Sequence, residues 1–256
     1  MSNNTIKIVA VSDIHGDLPK GIPTMSEPYI LCLVGDILPD YKASRVEILS
    51  LQLDWCNEVL LPWLLKDHCE NDNCHGIILV GGNHDHLFET YAHLPDFNKI
   101  HPKMHYLKMS HVTICGLKFY GTPITYNPGI VGKNWAFGDR DECGNLGLEA
   151  MDSDTNILLA HSPIRGCLDL GYDPIAGDMK NMGGLGFKRF IKESIHNYPY
   201  LSDIYCGHMH ENGGNSNIYR VRDIRGDLRR INVHSCCARL ESDSNENPIH
   251  THEYKV

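Results

Sequence analysis

Apolar residues gather along the chain into five short, unbroken runs: residues 6–12 (IKIVAVS), 29–35 (YILCLVG), 76–82 (GIILVGG), 156–160 (NILLA) and 203–207 (DIYCG). They do not alternate with polar residues, which is how strands covered on both faces read. Between the second and third runs, ASRVEILSLQLDWCNEVLLPWLLKDHC has apolar residues at helical spacing, with Pro62 as an expected kink or break. The helical pattern returns in GGLGFKRFIKESIHNY, before the fifth run. Strands alternating with helices predict an α/β fold whose sheet is at least partly parallel. HVTICGLKFYGTP reads as a hairpin through Gly116, and IYRVRDIRGDLRRINVHS as a second one. No repeat, low-complexity tract or compositional shift marks a linker, so residues 1–256 are read as one domain, with ESDSNENP as a mobile connection before the last residues.

The runs share a second feature, which is where each one stops. Asp13 follows the first, Asp36 the second, Asn83 the third, His161 the fourth and His208 the fifth. In open α/β sheets the carboxyl ends of strands converge on a crevice where ligands bind, so residues spread from 13 to 208 can meet. Second members reinforce the set: His15 lies two beyond Asp13, His210 two beyond His208, and His84 next to Asn83. If the strands stay extended through these ends, Asp13 and His15 project to one side across Ile14. Glycine precedes three of the ligands, at Gly35, Gly82 and Gly207, where a tight turn or a close backbone approach would need no Cβ. Carboxylate, imidazole and amide ligands suit Mn²⁺, Fe²⁺ or Zn²⁺ better than an all-oxygen calcium site or an all-thiolate zinc site. Two divalent ions sharing one carboxylate would use them all.

Composition narrows the class. The chain is 42% hydrophobic and 21% charged, which excludes disordered and fibrous proteins. No long apolar span and no leader pattern occur, and the ten cysteines are scattered through predicted strands and helices, so the sequence predicts a soluble cytoplasmic protein with reduced thiols. A net charge of −9 opposes binding along a nucleic-acid backbone, and neither a membrane nor a long nucleic acid is expected as a partner. The exception is the segment holding Arg220, Arg222, Arg225, Arg229 and Arg230, read as a solvated hairpin or, as the alternative, an anion-attracting rim.

The ordered set SDIHGD, VGDIL, GGNHD, LLAHSP and CGHMH resembles the five-motif signature of the calcineurin-like metallophosphoesterases, over residues 12 to 210. The resemblance implies a four-layer fold, a β-sandwich flanked by helices. It implies Asp13, His15 and His210 on a first metal, Asn83, His161 and His208 on a second, Asp36 bridging both, and His84 beside the substrate. The chain does not resemble the protein Ser/Thr phosphatase branch, since GDILPD stands where that branch has Asp-Arg-Gly and GNHD where it has Asn-His-Glu. HSPIRGCLD and the NWAF at 134–137 are similar to the small class that includes the brain metallophosphoesterase-domain proteins, which implies phosphodiesterase activity on cyclic nucleotides and related esters.

The chemistry implied is two-metal hydrolysis: ions ~3.5–4 Å apart activate a bridging water for in-line attack and offset charge on the phosphoryl oxygens. His84 is then the candidate to assist the leaving oxygen. The oligomeric state is left open. The alternatives are a broad phosphomonoesterase or a nuclease on the same site, and a non-catalytic metal-binding interaction module, which damaged ligands would have signalled. Other histidines and cysteines read as structural: HCENDNCH as a helix-to-strand loop, His86 and His93 as a helix face, and Asn232 with His234 as neighbours on one strand face, either near the site or buried and satisfied.

Overall fold

The computed structural model describes residues 5–19, 26–90, 94–127, 135–141, 143–144, 146–173, 177–223, 225–237 and 250–255. All five apolar runs are strands. The first three are β1 (Thr5–Val11), β2 (Tyr29–Val34) and β3 (Cys74–Val80), joined by β4 (Met104–Leu107), all parallel to their neighbours. The chain then enters a second sheet through the predicted hairpin of β5 (Ser110–Ile114) and β6 (Leu117–Thr122). Its two turn residues, Cys115 and Gly116, take φ of 50° and 77°, the left-handed pair that a two-residue hairpin requires.

After the short parallel pair β7 (Thr125–Tyr126) and β8 (Gly138–Asp139), β9 (Ile157–Ala160) enters the second sheet parallel to β6. The small hairpin of β10 (Leu170–Asp173) and β11 (Asp178–Asn181) leads toward β12 (Asp203–Cys206), which is parallel to β9. The second predicted hairpin, β13 (Ser216–Arg222) and β14 (Leu228–Ser235), completes that sheet. β15 (His250–Lys255) returns to pair antiparallel with β1. The sheets therefore run β15-β1-β2-β3-β4 and β13-β14-β12-β9-β6-β5.

Alternate side chains of the strands fill three separate cores. Ile8, Ala10, Ile30, Val34 and Ile78 meet Phe119, Ile157, Leu159 and Tyr205 between the sheets. On the outer face of the first sheet, Val9, Val11, Leu31 and Leu33 pack on Cys56, Leu60 and Leu64 of the long helix. On that of the second, Leu158, Ile204 and Val233 pack on Phe187 and Ile191 of the helix Leu185–Ser194. Helix, sheet, sheet and helix are the four layers the motif resemblance implies, and strands buried on both sides explain runs without alternation.

The long helix corrects the reading of Pro62. It opens as α1 (Arg45–Trp55) with a capping box between Ser44 and Glu47, passes through a π segment (Cys56–Leu60), α2 (Leu61–Trp63) and a second π segment (Leu64–Cys69), and holds right-handed dihedrals across every junction. A proline ring clashes with the carbonyl four residues back in an α-helix; here the Leu61 amide bonds to Cys56, five back, and the widened turn absorbs the ring without breaking the rod. The short helices α3 (His86–Glu89) and α4 (Phe97–Ile100) follow β3, and α5 (Leu185–Ser194) falls within the second helical stretch. Only the middle of HCENDNCH, residues 70–73, is the expected helix-to-strand loop: His68 and Cys69 end the second π segment, and Cys74 and His75 open β3. His86 lies buried in α3; His93, Asn134 and ESDSNENP fall outside the described residues. No helix among the described residues is long and apolar enough to cross a membrane.

Candidate metal centre

The loops after β1 and β2 are laced together at the end of the first sheet. Asp13 N–H donates to Gly35 O (2.9 Å), His15 N–H to Asp36 O (3.0 Å) and Gly16 N–H to Ile37 O (3.0 Å). The second sheet joins in through His208 N–H, which donates to both Asp13 carboxylate oxygens at 3.1 and 3.0 Å, and through Gly207 N–H, which donates to His161 O at 3.0 Å. Both sheets thus deliver their strand ends to one place.

The way Asp13 and His15 are delivered differs from the extended geometry expected of them. β1 ends at Val11, and Asp13 and His15 have φ of 57° and 46°; Asp36 and His208 are also left-handed, at 51° and 70°. The pair is therefore aimed by a strained turn and not by the pleat. Residues held in this sparse region cost free energy that the surrounding bonds must cover, and such positions cluster at functional sites. The glycine expectation holds by contact: a Cβ on Gly35 would strike the His161 ring, and one on Gly207 would strike Ser12 and the Asp13 carboxylate.

Three trios of ligand atoms result, each within 4.8 Å of one another: Asp13, His15 and His210; Asp36, His161 and His208; and His15, Asp40 and His84. Asp36 stands between the first two, its Oδ2 lying 3.2 Å from His161 Nε2 and 4.0 Å from His15 Nε2. Asn83 joins the second, with Oδ1 3.1 Å from His161 Nε2. His210 Nε2 lies 3.2 Å from Asp13 Oδ1. All seven ligand positions expected from the sequence are in this assembly, and His84, partly exposed, borders it.

Its electrostatics suit cations. Burial alone would raise the Asp13 carboxyl, but His210 and His161, with the Ser12 hydroxyl, hold it well below the usual carboxylate range. Burial likewise opposes ionisation of Asp36, and His161 and His84 overcome it. Burial opposes a charge on His161, yet Asp36 and Asp13 raise it to about 10, which marks the point between the carboxylates as one that favours positive charge. His208 goes the other way: burial and the charge of His161 push it down to about 3, leaving a neutral imidazole. Nε2 of His15 is buried without a hydrogen-bond partner among the described residues, an expensive state for a polar group unless something else binds it, while its Nδ1 faces the Asp40 carboxylate at 3.2 Å. Carboxylate, amide and imidazole donors that converge on a point favouring positive charge, with His15 Nε2 unsatisfied, fit borderline divalent ions.

Four residues that the strand-end pattern does not single out hold this arrangement. Asp40 bridges two imidazoles, its carboxylate 2.6 Å from His84 Nδ1 and 3.2 Å from His15 Nδ1. Asp85 accepts from Ile37 N–H and Leu38 N–H (2.9 and 2.8 Å) and from Gly82 N–H (2.8 Å), fastening the loops after β2 and β3. Gln52, the buried residue of α1, donates to His84 O (2.8 Å) and accepts from Leu87 N–H (3.0 Å). The Cys237 thiol donates to Asp13 Oδ2 (3.1 Å), which also receives the Ser12 hydroxyl. With Oδ2 occupied, Oδ1 is turned toward His210. Two of the four stand in quoted motifs, Asp40 as the acid four beyond Asp36 in GDILPD and Asp85 as the last residue of GGNHD. Cys69 and Cys74 belong to no ligand trio among the described residues. At the rim, the Trp135 ring lies 5.4 Å from that of His208, with its indole nitrogen buried and unpartnered.

Compared with known proteins, residues 6–212 match a family model described as calcineurin-like phosphoesterase. No curated protein matches the chain.

Proposed function

We infer, from the premise that the chain belongs to the calcineurin-like phosphoesterases and is a metal-dependent hydrolase of phosphoric esters, that its substrate is a small phosphodiester, with cyclic nucleotides the first to test. Asp13, His15 and His210 would hold one divalent ion, Asn83, His161 and His208 a second, and Asp36 both. Mn²⁺, Fe²⁺ and Zn²⁺ all suit this donor set. Such ions, when bound, supply an activated water and offset charge on the phosphoryl oxygens. The observation that carries the reading is the position of Asp36, whose Oδ2 faces His15 on one side and His161 on the other.

The chain's own residues then divide the remaining work. His84 is set at the edge of the ligand assembly, with its Nδ1 held by Asp40, so its Nε2 is the atom free to give or share a proton with a departing oxygen. Its backbone N–H donates to Asp36 Oδ1 (2.8 Å), so the acid and the shared ligand move as one unit. Trp135 offers an unpartnered N–H and an aromatic face beside His208, suited to a substrate with a ring. The charge of −9 favours a small substrate over a polymer. A hydrolysis screen with added Mn²⁺, Fe²⁺ or Zn²⁺ across monoesters, cyclic and linear diesters and long duplex tests this. Faster turnover of small diesters at equal phosphate supports it; preferential cutting of duplex or of monoesters overturns the substrate assignment.

A further inference from the structure

Between the two sheets the inward-facing positions are apolar, as a sandwich core requires, except along one edge. There β13 of one sheet and β15 of the other stand at the open side of the sandwich, and the inward positions turn polar. Register puts Ser216 opposite His234, Ile218 opposite Asn232 and Arg220 opposite Arg230, on the side away from Val221, Ile231 and Val233 of the outer core. Ser216, Ile218, Arg220, Asn232 and His234, together with Thr251 and His252, line an open cleft of about 460 Å³. A break in patterning over so many neighbouring positions is a local rule broken in one place, which is where function is sought.

We propose that this cleft is a second ligand site, which takes a small organic oxyanion, a phosphate- or carboxylate-bearing molecule, with Arg220 as its charged contact and His252 as a hydrogen-bonding one. The floor is prearranged. Asp203 Oδ1 accepts from Asn232 Nδ2 (3.0 Å) and faces His234 Nε2 (3.2 Å), and Ser216 Oγ lies 2.9 Å from His234 Nδ1. An ionised Asp203 only accepts, so Nε2 carries the proton, Nδ1 accepts from Ser216, and the ring stacks on Tyr205 with centroids 4.7 Å apart. Asp203 is thereby answered from inside the protein and does not repel an anion.

The walls are not answered in this way. Arg220 and Arg230 make no hydrogen bond or ion pair among the described residues, whereas Arg222 and Arg229 of the same hairpin bind backbone carbonyls. A guanidinium fork above a fixed polar floor is a geometry suited to a planar or tetrahedral oxyanion. Asn232 Oδ1 and the Ser216 lone pairs remain as acceptors for hydroxyl or amino groups on the same ligand, and Ile218 gives one apolar wall. The side chains of Arg222 and Arg229 are thus fastened to backbone, while that of Arg220 is left to the cleft.

The test is calorimetric titration of the metal-loaded full chain with inorganic phosphate, adenosine 5′-monophosphate and tricarballylate, in wild type, Arg220→Gln, His252→Gln and Arg220→Lys. Loss of one charge-assisted contact should weaken binding of at least one probe by roughly tenfold or more in each of the Gln variants, with partial rescue by Lys. Metal content, melting temperature and hydrolytic kcat/KM should not change, since neither residue touches the metal centre. A response to the phosphate probes alone identifies a phosphate ligand, and a response to tricarballylate alone a carboxylate one. If no probe's affinity changes in either Gln variant, all oxyanion binding belongs to the metal centre and the second site is refuted.

Discussion

Two assemblies of aspartate and histidine lie at different edges of the same sandwich, and they are built in opposite ways. At the strand ends, Asp13, His15, Asp36 and His208 sit on left-handed backbone, and His15 Nε2 lacks a hydrogen-bond partner among the described residues. At the β13–β15 edge, Asp203, Asn232 and His234 sit on regular paired strands, and Asp203 and His234 meet each other and their neighbours. The first assembly carries strain and an unmet ligand atom, which a divalent cation would complete. The second is complete without one, and what it leaves open is the arginine wall above it. Proximity of aspartate and histidine is therefore weak evidence of a metal site; unmet donors on strained backbone are strong evidence.

The largest effect that sharpens this contrast comes from His84, outside the ligand count. His84→Ala should keep both metals but lose roughly 10²- to 10⁴-fold on a diester with a sugar alkoxide leaving group, and distinctly less on a nitrophenyl ester, which needs no proton. Measured at saturating metal, equal losses on the two esters would reassign His84 to binding the phosphoryl oxygens.

On the other side of the comparison, His234→Ala leaves Asp203 buried beside a lost partner. Its cost should be roughly 2–4 kcal/mol of unfolding free energy, with metal content and turnover unchanged. Denaturant titration reads the first and elemental analysis the second. A variant of wild-type stability that had lost metal would place the edge assembly in the centre and dissolve the distinction.

His68 supplies a third case, a buried histidine with no carboxylate hydrogen-bonded to it. It receives or shares only the Tyr29 hydroxyl at 2.8 Å, and burial pushes it from an ordinary 6.5 down to about 4. The unfolded chain then binds the proton more readily, so the His68 contribution is intact above pH 6.5 and is lost as pH falls toward 4, by up to about 3 kcal/mol. Because acid also strips metal, the quantity to measure is the difference in stability between wild type and His68→Gln at each pH. A difference that stays flat from pH 7 to 4 would contradict the assignment.

The smallest effect lies behind Asp13. Cys237→Ala removes a weak donor from the oxygen opposite the metal side and should lower metal affinity by about tenfold, the low end for residues that orient ligands. The double variant Cys69→Ser and Cys74→Ser should change metal content by nothing. Stoichiometric metal loss in the double variant would overturn the structural reading of HCENDNCH.

These contrasts track what the chain alone makes legible. Runs buried on both faces, such as YILCLVG, carry their identity locally, and each of the five is a strand in the structure. β15 escaped because HTHEYK is polar and lies at a sheet edge, where pairing with β1 and not composition makes the strand. The convergence of the seven candidate ligand positions was readable because each follows a strand and the strands share an end. Cys237 was not, since it reaches Asp13 across 224 residues, and Gln52 was not, since on a helix a single buried amide leaves no pattern. The reading of Asp13 and His15 as an extended pair failed for a related reason: a left-handed turn after β1 is imposed by the neighbouring loop after β2, which local spacing does not contain.

The central claim is that Asp36 joins two metal sites into one catalytic centre, and metal stoichiometry with turnover in Asp36→Asn tests it most directly. The amide keeps the shape and removes the charge that faces both His15 and His161. The account predicts two ions per wild-type chain, substoichiometric metal in the variant and no measurable phosphoester hydrolysis. A variant that retained two ions and wild-type turnover, or a wild-type chain saturated by a single ion, would contradict it.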